Sequence, residues 1–145
     1  TTDIIVGYPE ESEENFNNTY LFAEKIGFMR IHVFPFSPRP FTKAYNLKPL
    51  SHEIITKRKE KLIKLSSKLW KTYVSKFLGK EVEVMVEEKE GDVYRGTTEN
   101  YIKVEFKSNL LLKEGDYTKV RLLTIDEENE KVLGEHLESK VKAKL

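Results

Sequence analysis

Val82, Val84 and Val86 alternate with Glu81, Glu83 and Glu87. Side chains on a strand face opposite sides in turn, so this stretch reads as a half-buried strand, apolar on one side and charged on the other. Ile102, Val104 and Phe106 against Tyr101, Lys103 and Glu105 repeat the pattern, and Val120 and Leu122 against Lys119 and Arg121 repeat it again. Residues 107–115 form a loop carrying Leu110, Leu111 and Leu112, and Gly115-Asp116 turns the chain into a strand over 117–125. Asp126-Glu127-Glu128-Asn129-Glu130 makes an acidic hairpin tip, and 131–137 a fifth strand. Short alternating strands joined by turns rich in Gly and Asp predict a small closed antiparallel barrel.

The N-terminal half follows other periods. Thr1-Thr2-Asp3-Ile4-Ile5-Val6-Gly7 is apolar at successive positions, as in strands covered on both faces. Ser12 is placed to cap a helix with Glu13 and Glu14 in its first turn, Phe16, Tyr20 and Ala23 lie at helical spacing, and Gly27 stops it. Arg30-Ile31-His32-Val33-Phe34 is a second apolar strand, so strand, helix and strand predict a βαβ unit with two parallel strands. Two such strands leave open edges and a bare apolar face. The unit is therefore expected to be a piece of a larger α/β barrel, or to be poorly ordered or self-associated through those edges. Pro35-Phe36-Ser37-Pro38-Arg39-Pro40-Phe41 is a rigid loop at a strand's C-terminal end, the end at which α/β barrels hold ligands, but Pro-rich loops are common connectors and the residues alone favour that plainer reading. Ser51 caps a helix predicted to reach Leu78, with Gly79 ending it. Ile55, Leu62, Leu65, Leu69, Tyr73 and Phe77 line one side of that helix, and Lys57, Lys61, Lys64, Lys68 and Lys71 the opposite side.

Charge sharpens this picture. The formal net charge of +1 names no partner, but residues 57–80 hold 9 basic and 1 acidic side chains, whereas 81–145 hold 11 and 16. A lysine ridge is usually a solvated face, yet one with so little interspersed acid suits a phosphate backbone. On the five-stranded barrel, an OB-like fold that presents aromatic and basic side chains to bases, the outward candidates are Tyr94, Arg95, Tyr101, Lys103, Lys119 and Arg121. With no cysteine, the chain itself supplies neither disulfides nor thiolate-ligated zinc or iron–sulfur sites. No apolar run approaches a membrane span and no signal peptide is visible, so a cytoplasmic location and no membrane partner are expected.

Three runs occur in order: Thr2-Asp3-Ile4-Ile5-Val6-Gly7-Tyr8-Pro9 with Glu11, His32-Val33-Phe34-Pro35-Phe36-Ser37-Pro38-Arg39-Pro40, and Gly96-Thr97-Thr98-Glu99-Asn100-Tyr101-Ile102-Lys103-Val104. Together they resemble the C-terminal part of the radical S-adenosylmethionine tRNA methylthiotransferases, and the last is similar to that family's RNA-binding TRAM barrel. The loop after His32–Phe36 and the Asn100-Tyr101 pair look closest to the subfamily acting on N6-threonylcarbamoyladenosine beside the tRNA anticodon. The resemblance implies an α+β chain. Residues 1–50 would be the last strand–helix units of a partial, TIM-like radical barrel, 51–78 a basic linking helix, 79–138 the TRAM barrel, and 139–145 a frayed tail. It implies S-adenosylmethionine and two iron–sulfur clusters as cofactors of the parent enzyme, none of them bound by this fragment, which alone is expected to be inactive. It also implies that Gly7, Tyr8, Pro9 and Glu11 border the cofactor, that Ser37, Pro38 and Arg39 border the mouth receiving the target base, and that partners are the tRNA anticodon region and the rest of the parent enzyme. Glu10 and Phe41 stand where the family tends to have glycine, whose backbone angles a side chain disfavours.

Other chemistries find little support. His32, His52 and His136 show no metal-ligand spacing, Glu10 and Glu11 are explained by the helix N-terminus that follows them, and there is no phosphate loop or nucleophile elbow. The alternative to an enzyme fragment is a stand-alone OB-like RNA-binding module on which the first fifty residues merely pack. An upstream reading frame encoding a CxxxCxxC motif would decide for the fragment.

Overall fold

The Ser12 hydroxyl accepts the Asn15 N–H and the Asn15 side chain accepts the Ser12 N–H, both at 3.0 Å, a reciprocal cap that starts helix α1, Glu13–Ile26. Gly27 ends it in the left-handed conformation, its N–H bonded to the Ala23 carbonyl. Strands β1, Thr2–Val6, and β2, Ile31–Pro35, flank α1 in sequence and pair in parallel, Thr2 opposite Ile31 through Val6 opposite Pro35. This is the expected βαβ unit. The computed structural model describes residues 1–137. It divides into two compact units, Thr1–Trp70 and Lys71–Leu145.

The core of the first unit lies on one face of the two-stranded sheet. Val6, Phe16, Ala23 and Ile31 are buried there with Leu62, Leu65 and Leu69 of helix α2, His52–Ser75. Each fully buried Leu contributes about 1.5–3 kcal/mol, which is why so lysine-rich a helix is held in place. Ser66 adds a polar tie: its hydroxyl accepts the Ile31 N–H at 2.9 Å and donates to the Ile31 carbonyl at 3.2 Å. The opposite sheet face is bare, with Ile5 60% and Phe34 51% exposed. Between β2 and α2 the chain makes a short 3-10 helix, Lys43–Asn46.

Helix α2 stops three residues earlier than its apolar spacing predicts. Lys76, Phe77 and Leu78 continue as tight turns whose N–H groups reach back only three residues, and Gly79, at φ 82, donates to the Leu122 carbonyl instead. The barrel's own pairing thus replaces the helix ladder.

The second unit is built from β3, Glu81–Glu90, β4, Val93–Thr98, β5, Lys103–Lys107, β6, Tyr117–Asp126, and β7, Lys131–His136. They close in the order β3-β4-β5-β7-β6, an OB-like barrel as expected. Pairing is antiparallel except at the β5–β7 seam, which is parallel and runs from Val104 opposite Val132 to Lys107 opposite Glu135. Bulges interrupt β3 between Val86 and Glu88 and β6 between Leu122 and Thr124, bending both strands around a core of Val84, Val86, Ile102, Val104, Val120, Leu122 and Val132. Gly96 is required at the β3 crossing, because a Cβ there would lie 2.2 Å from the Met85 carbonyl oxygen. The expected tail, residues 139–145, lies outside the described residues.

Candidate functional site

On the bare face of the first unit's sheet, Asp3, Ile5 and Phe34 form the floor of a cleft of about 770 Å³. Its walls are Tyr8, Phe36, Ser37 and Arg39, with Thr42, Lys43 and Ala44 closing one side. The Phe36 N–H bonds the Val6 carbonyl at 2.8 Å, so the Pro-rich loop extends the parallel pairing by one residue before it turns. Tyr8 meets Phe36 edge-on, ring centroids 5.5 Å apart. The cleft therefore brings together residues of the two loops that the resemblance assigns to cofactor and target base: Tyr8 from the first, Ser37 and Arg39 from the second.

Gly7, Pro9 and Glu11 are placed differently. Gly7 and Pro9 are buried, and Gly7 takes φ 85 with the Ile55 side chain against it. The Glu11 carboxylate accepts the Gly7 N–H at 3.1 Å and the Arg58 guanidinium at 2.8 Å. Arg58, buried in α2, also bonds the Glu11 carbonyl at 3.0 Å and Glu13 at 3.1 Å, and lies over the Phe16 ring. These three residues shape the turn that carries Tyr8. Sequence reasoning missed Arg58, although it falls on the apolar stripe between Ile55 and Leu62, where a charged residue implies a buried ion pair. Phe41, fully exposed, sits at φ 66, the glycine-favouring region; Glu10 does not.

The five ridge lysines are all exposed. Lys57 lies 3.5 Å from Glu53 and Lys68 3.9 Å from Glu24, while Lys71 pairs with Glu127. Exposed pairs of this kind are worth about 0–1 kcal/mol, so phosphate can displace the carboxylates at little cost.

On the barrel, Tyr94 is not outward. It is 1% exposed, stacked on Phe106 at 5.6 Å, and its hydroxyl donates to the Leu110 carbonyl at 2.7 Å while accepting the Leu112 N–H at 3.0 Å. Neighbours on a strand face opposite sides, so Tyr94 and Arg95 cannot both point out; the large ring fills the core and pins the 107–115 loop. Arg95, Lys103, Lys119 and Arg121 do face outward, each beside a carboxylate: Arg95 by Glu90 and Glu105, Lys103 by Glu87, Lys119 by Glu83, Arg121 by Glu81. The bonds to Glu90 and then Glu105 raise Arg95 further above its ordinary pKa. Glu87 is held below the usual carboxylate range, chiefly by the Thr97 hydroxyl and next by Lys103. Asp126 is lowered by its bonds from Asn129. Among the described residues no group of three or more His, Asp or Glu is arranged to hold a metal ion, and no helix is long and apolar enough to cross a membrane.

Tyr101 is 78% exposed, as expected, and Tyr117, which sequence reasoning passed over, is 53% exposed. The alternation that names Lys119 and Arg121 places Tyr117 on the same outer side.

No family model matches the chain. The threonylcarbamoyladenosine tRNA methylthiotransferase of Aquifex aeolicus is 44% identical over 105 residues, 72% of this chain and 25% of that protein. The enzyme of the same name from Chlamydia pneumoniae is 36% identical over 129 residues, 88% of this chain and 31% of its own length. The tRNA-2-methylthio-N(6)-dimethylallyladenosine synthase of Thermobifida fusca is 38% identical over 99 residues, 66% of this chain and 20% of that protein. The chain is thus homologous to tRNA methylthiotransferases at moderate identity and spans roughly a quarter of their length. Among solved structures, the apo form of Mycoplasma genitalium RNase R aligns with 61% of this chain at a TM-score of 0.41 and 13% identity, too weak a likeness to argue from.

Proposed function

We infer from this homology that the chain is the C-terminal part of a tRNA-modifying radical S-adenosylmethionine methylthiotransferase, adding a 2-methylthio group to a modified adenosine beside the anticodon. The target we favour is threonylcarbamoyladenosine. Its role is to grip tRNA and to furnish one wall of the pocket where cofactor and target base meet. The observation that carries this reading is the cleft. The sheet face beside the strands' C-terminal ends is left bare, with Ile5 and Phe34 exposed on it and Tyr8, Ser37 and Arg39 around it, and α/β barrels place their reacting groups at that end.

The iron–sulfur clusters do not fit this chain, since it has no cysteine to ligate them, and no step is routed through them. The first unit's cleft, with exposed Ile5 and Phe34 on its floor and Tyr8 on its wall, suits the adenosine of S-adenosylmethionine. Bound there, it would supply the radical chemistry of the parent enzyme. Tyr8 and the Ile5–Phe34 floor would hold its adenosine by apolar contact, the Glu11–Arg58 pair would keep the Tyr8 turn in place, and Ser37 and Arg39 would orient the target base. Grip on RNA falls mainly to Lys57, Lys61, Lys64, Lys68 and Lys71, because residues 57–80 carry 9 basic and 1 acidic side chains whereas 81–145 carry 11 and 16.

The test is a fluorescence titration of the chain with a tRNA anticodon stem-loop and with an acceptor-arm minihelix at equal salt. The stem-loop is expected to bind more tightly. Equal affinity would leave nonspecific attraction as the explanation.

A further inference from the structure

A second cleft, of about 640 Å³, opens on the outer face of the barrel between Tyr101 and Tyr117. Met85 lies on its floor, paired across the sheet with Tyr117 on one side and Thr97 on the other. Two exposed tyrosines flanking a polarizable thioether make a stacking surface with little other use in a folded barrel. The Tyr101 backbone is fixed from several directions. Its N–H bonds the Thr98 carbonyl at 3.0 Å, the Thr98 N–H bonds the Ile102 carbonyl at 3.0 Å, and the Thr98 hydroxyl accepts the Ile102 N–H and donates to Asn100. Yet Tyr101 is held at φ 66, a conformation that costs energy for any side chain and that so exposed a ring does not recover by packing.

The charges around the cleft point away from phosphate. Lys103 is engaged by Glu87 at 3.4 Å and Thr97 at 2.9 Å, and the other ionised groups on the rim are the carboxylates of Glu83 and Glu99. Carboxylates accept hydrogen bonds and repel phosphate, so they suit a base edge that donates, such as the exocyclic amino group of cytosine, adenine or guanine.

We propose that this cleft is a subsite for one unpaired, amino-bearing nucleobase, stacked against Tyr101 and Tyr117 with its amino edge on Glu87 or Glu99. The inference rests on the RNA-binding reading above and goes beyond it in naming what the barrel reads. Recognition here is neutral stacking plus base-edge contact, separate from the phosphate grip of α2.

The experiment titrates the whole 145-residue chain with labelled oligocytidylate, oligoadenylate, oligouridylate and an anticodon stem-loop. Tyr117→Ala and Tyr101→Gly are each expected to weaken stem-loop and oligocytidylate binding roughly 5- to 150-fold, the range for one base–aromatic stack, without changing the salt slope. Glycine relieves the positive φ, so Tyr101→Gly should melt no lower than the parent chain, which separates lost stacking from lost fold. Glu99→Gln combined with Glu87→Gln should narrow the preference for oligocytidylate and oligoadenylate over oligouridylate. A parent chain that binds no RNA overturns the RNA reading and the subsite together. A chain that binds RNA but is indifferent to both tyrosine variants overturns the subsite alone, and equal binding of the three homopolymers overturns its amino-edge selectivity.

Discussion

Phe41 and Tyr101 share φ 66, but Phe41 lies in a loop where its ring touches little, and it is fully exposed. Left-handed backbone costs a side-chain-bearing residue about 1–2 kcal/mol, against roughly 0.5–1 kcal/mol for glycine's greater freedom when unfolded. Phe41→Gly is therefore expected to raise the denaturant midpoint slightly, and a clear drop would show that the ring contributes packing. Gly96→Ala should act in the other direction. Its Cβ would meet the Met85 carbonyl oxygen at 2.2 Å and a Val84 methyl at 2.6 Å, and a loss on the order of 3 kcal/mol is expected from overpacking, read as a lower melting temperature. Glu87 gives a pH signature. Its folded pKa is depressed, so its contribution is present above the ordinary carboxylate value and lost as pH falls through the folded one. The stability difference between the parent and Glu87→Gln should be small, fully present at neutral pH, and lost only as pH falls below the ordinary carboxylate value and through the depressed folded one. At this scale the sequence was legible where alternation was strict and misled where it was relaxed. Ile102, Val104 and Phe106 are buried as their spacing requires, while Tyr94, an outward candidate on a barrel expected to present aromatics to bases, shares the parity of buried Gly96 and Thr98 and lies inside.

Helix α2 shows how one element serves two tasks. Leu62, Leu65 and Leu69 anchor it to the first unit's core while the lysines stay in solvent, a division that hydrophobic periodicity alone revealed. What periodicity did not reveal was the role of Arg58, because ion pairing with Glu11 depends on a turn far away in sequence. Removing it would leave the nearly buried Glu11 carboxylate without its cation. Arg58→Ala should cost about 3 kcal/mol and speed hydrogen exchange at the Gly7 amide, whereas unchanged exchange there would show that the turn holds its shape without the arginine. The caps of α1 were readable because capping is local: Ser12 and Gly27 act within a few residues of themselves. The end of α2 was not, since Gly79 is claimed by Leu122 of a distant strand.

For the whole molecule, the two loops of the first cleft were legible only through resemblance, because no periodicity announces which residues a parallel sheet brings side by side. Lacking cysteine, the chain reconstituted with iron and sulfide and treated with dithionite is expected to release no 5′-deoxyadenosine from S-adenosylmethionine. Sustained release would remove the fragment reading. If α2 holds the RNA backbone, the salt dependence of tRNA binding will separate the parent chain from a variant with Lys57, Lys61, Lys64, Lys68 and Lys71 all changed to glutamine. Each lysine that neutralises a phosphate adds about 0.7–0.9 to the slope of log affinity against log salt. A steep slope is expected for the parent and a much flatter one for the variant; an unchanged slope in the variant would make the ridge a solvated face and leave RNA held elsewhere.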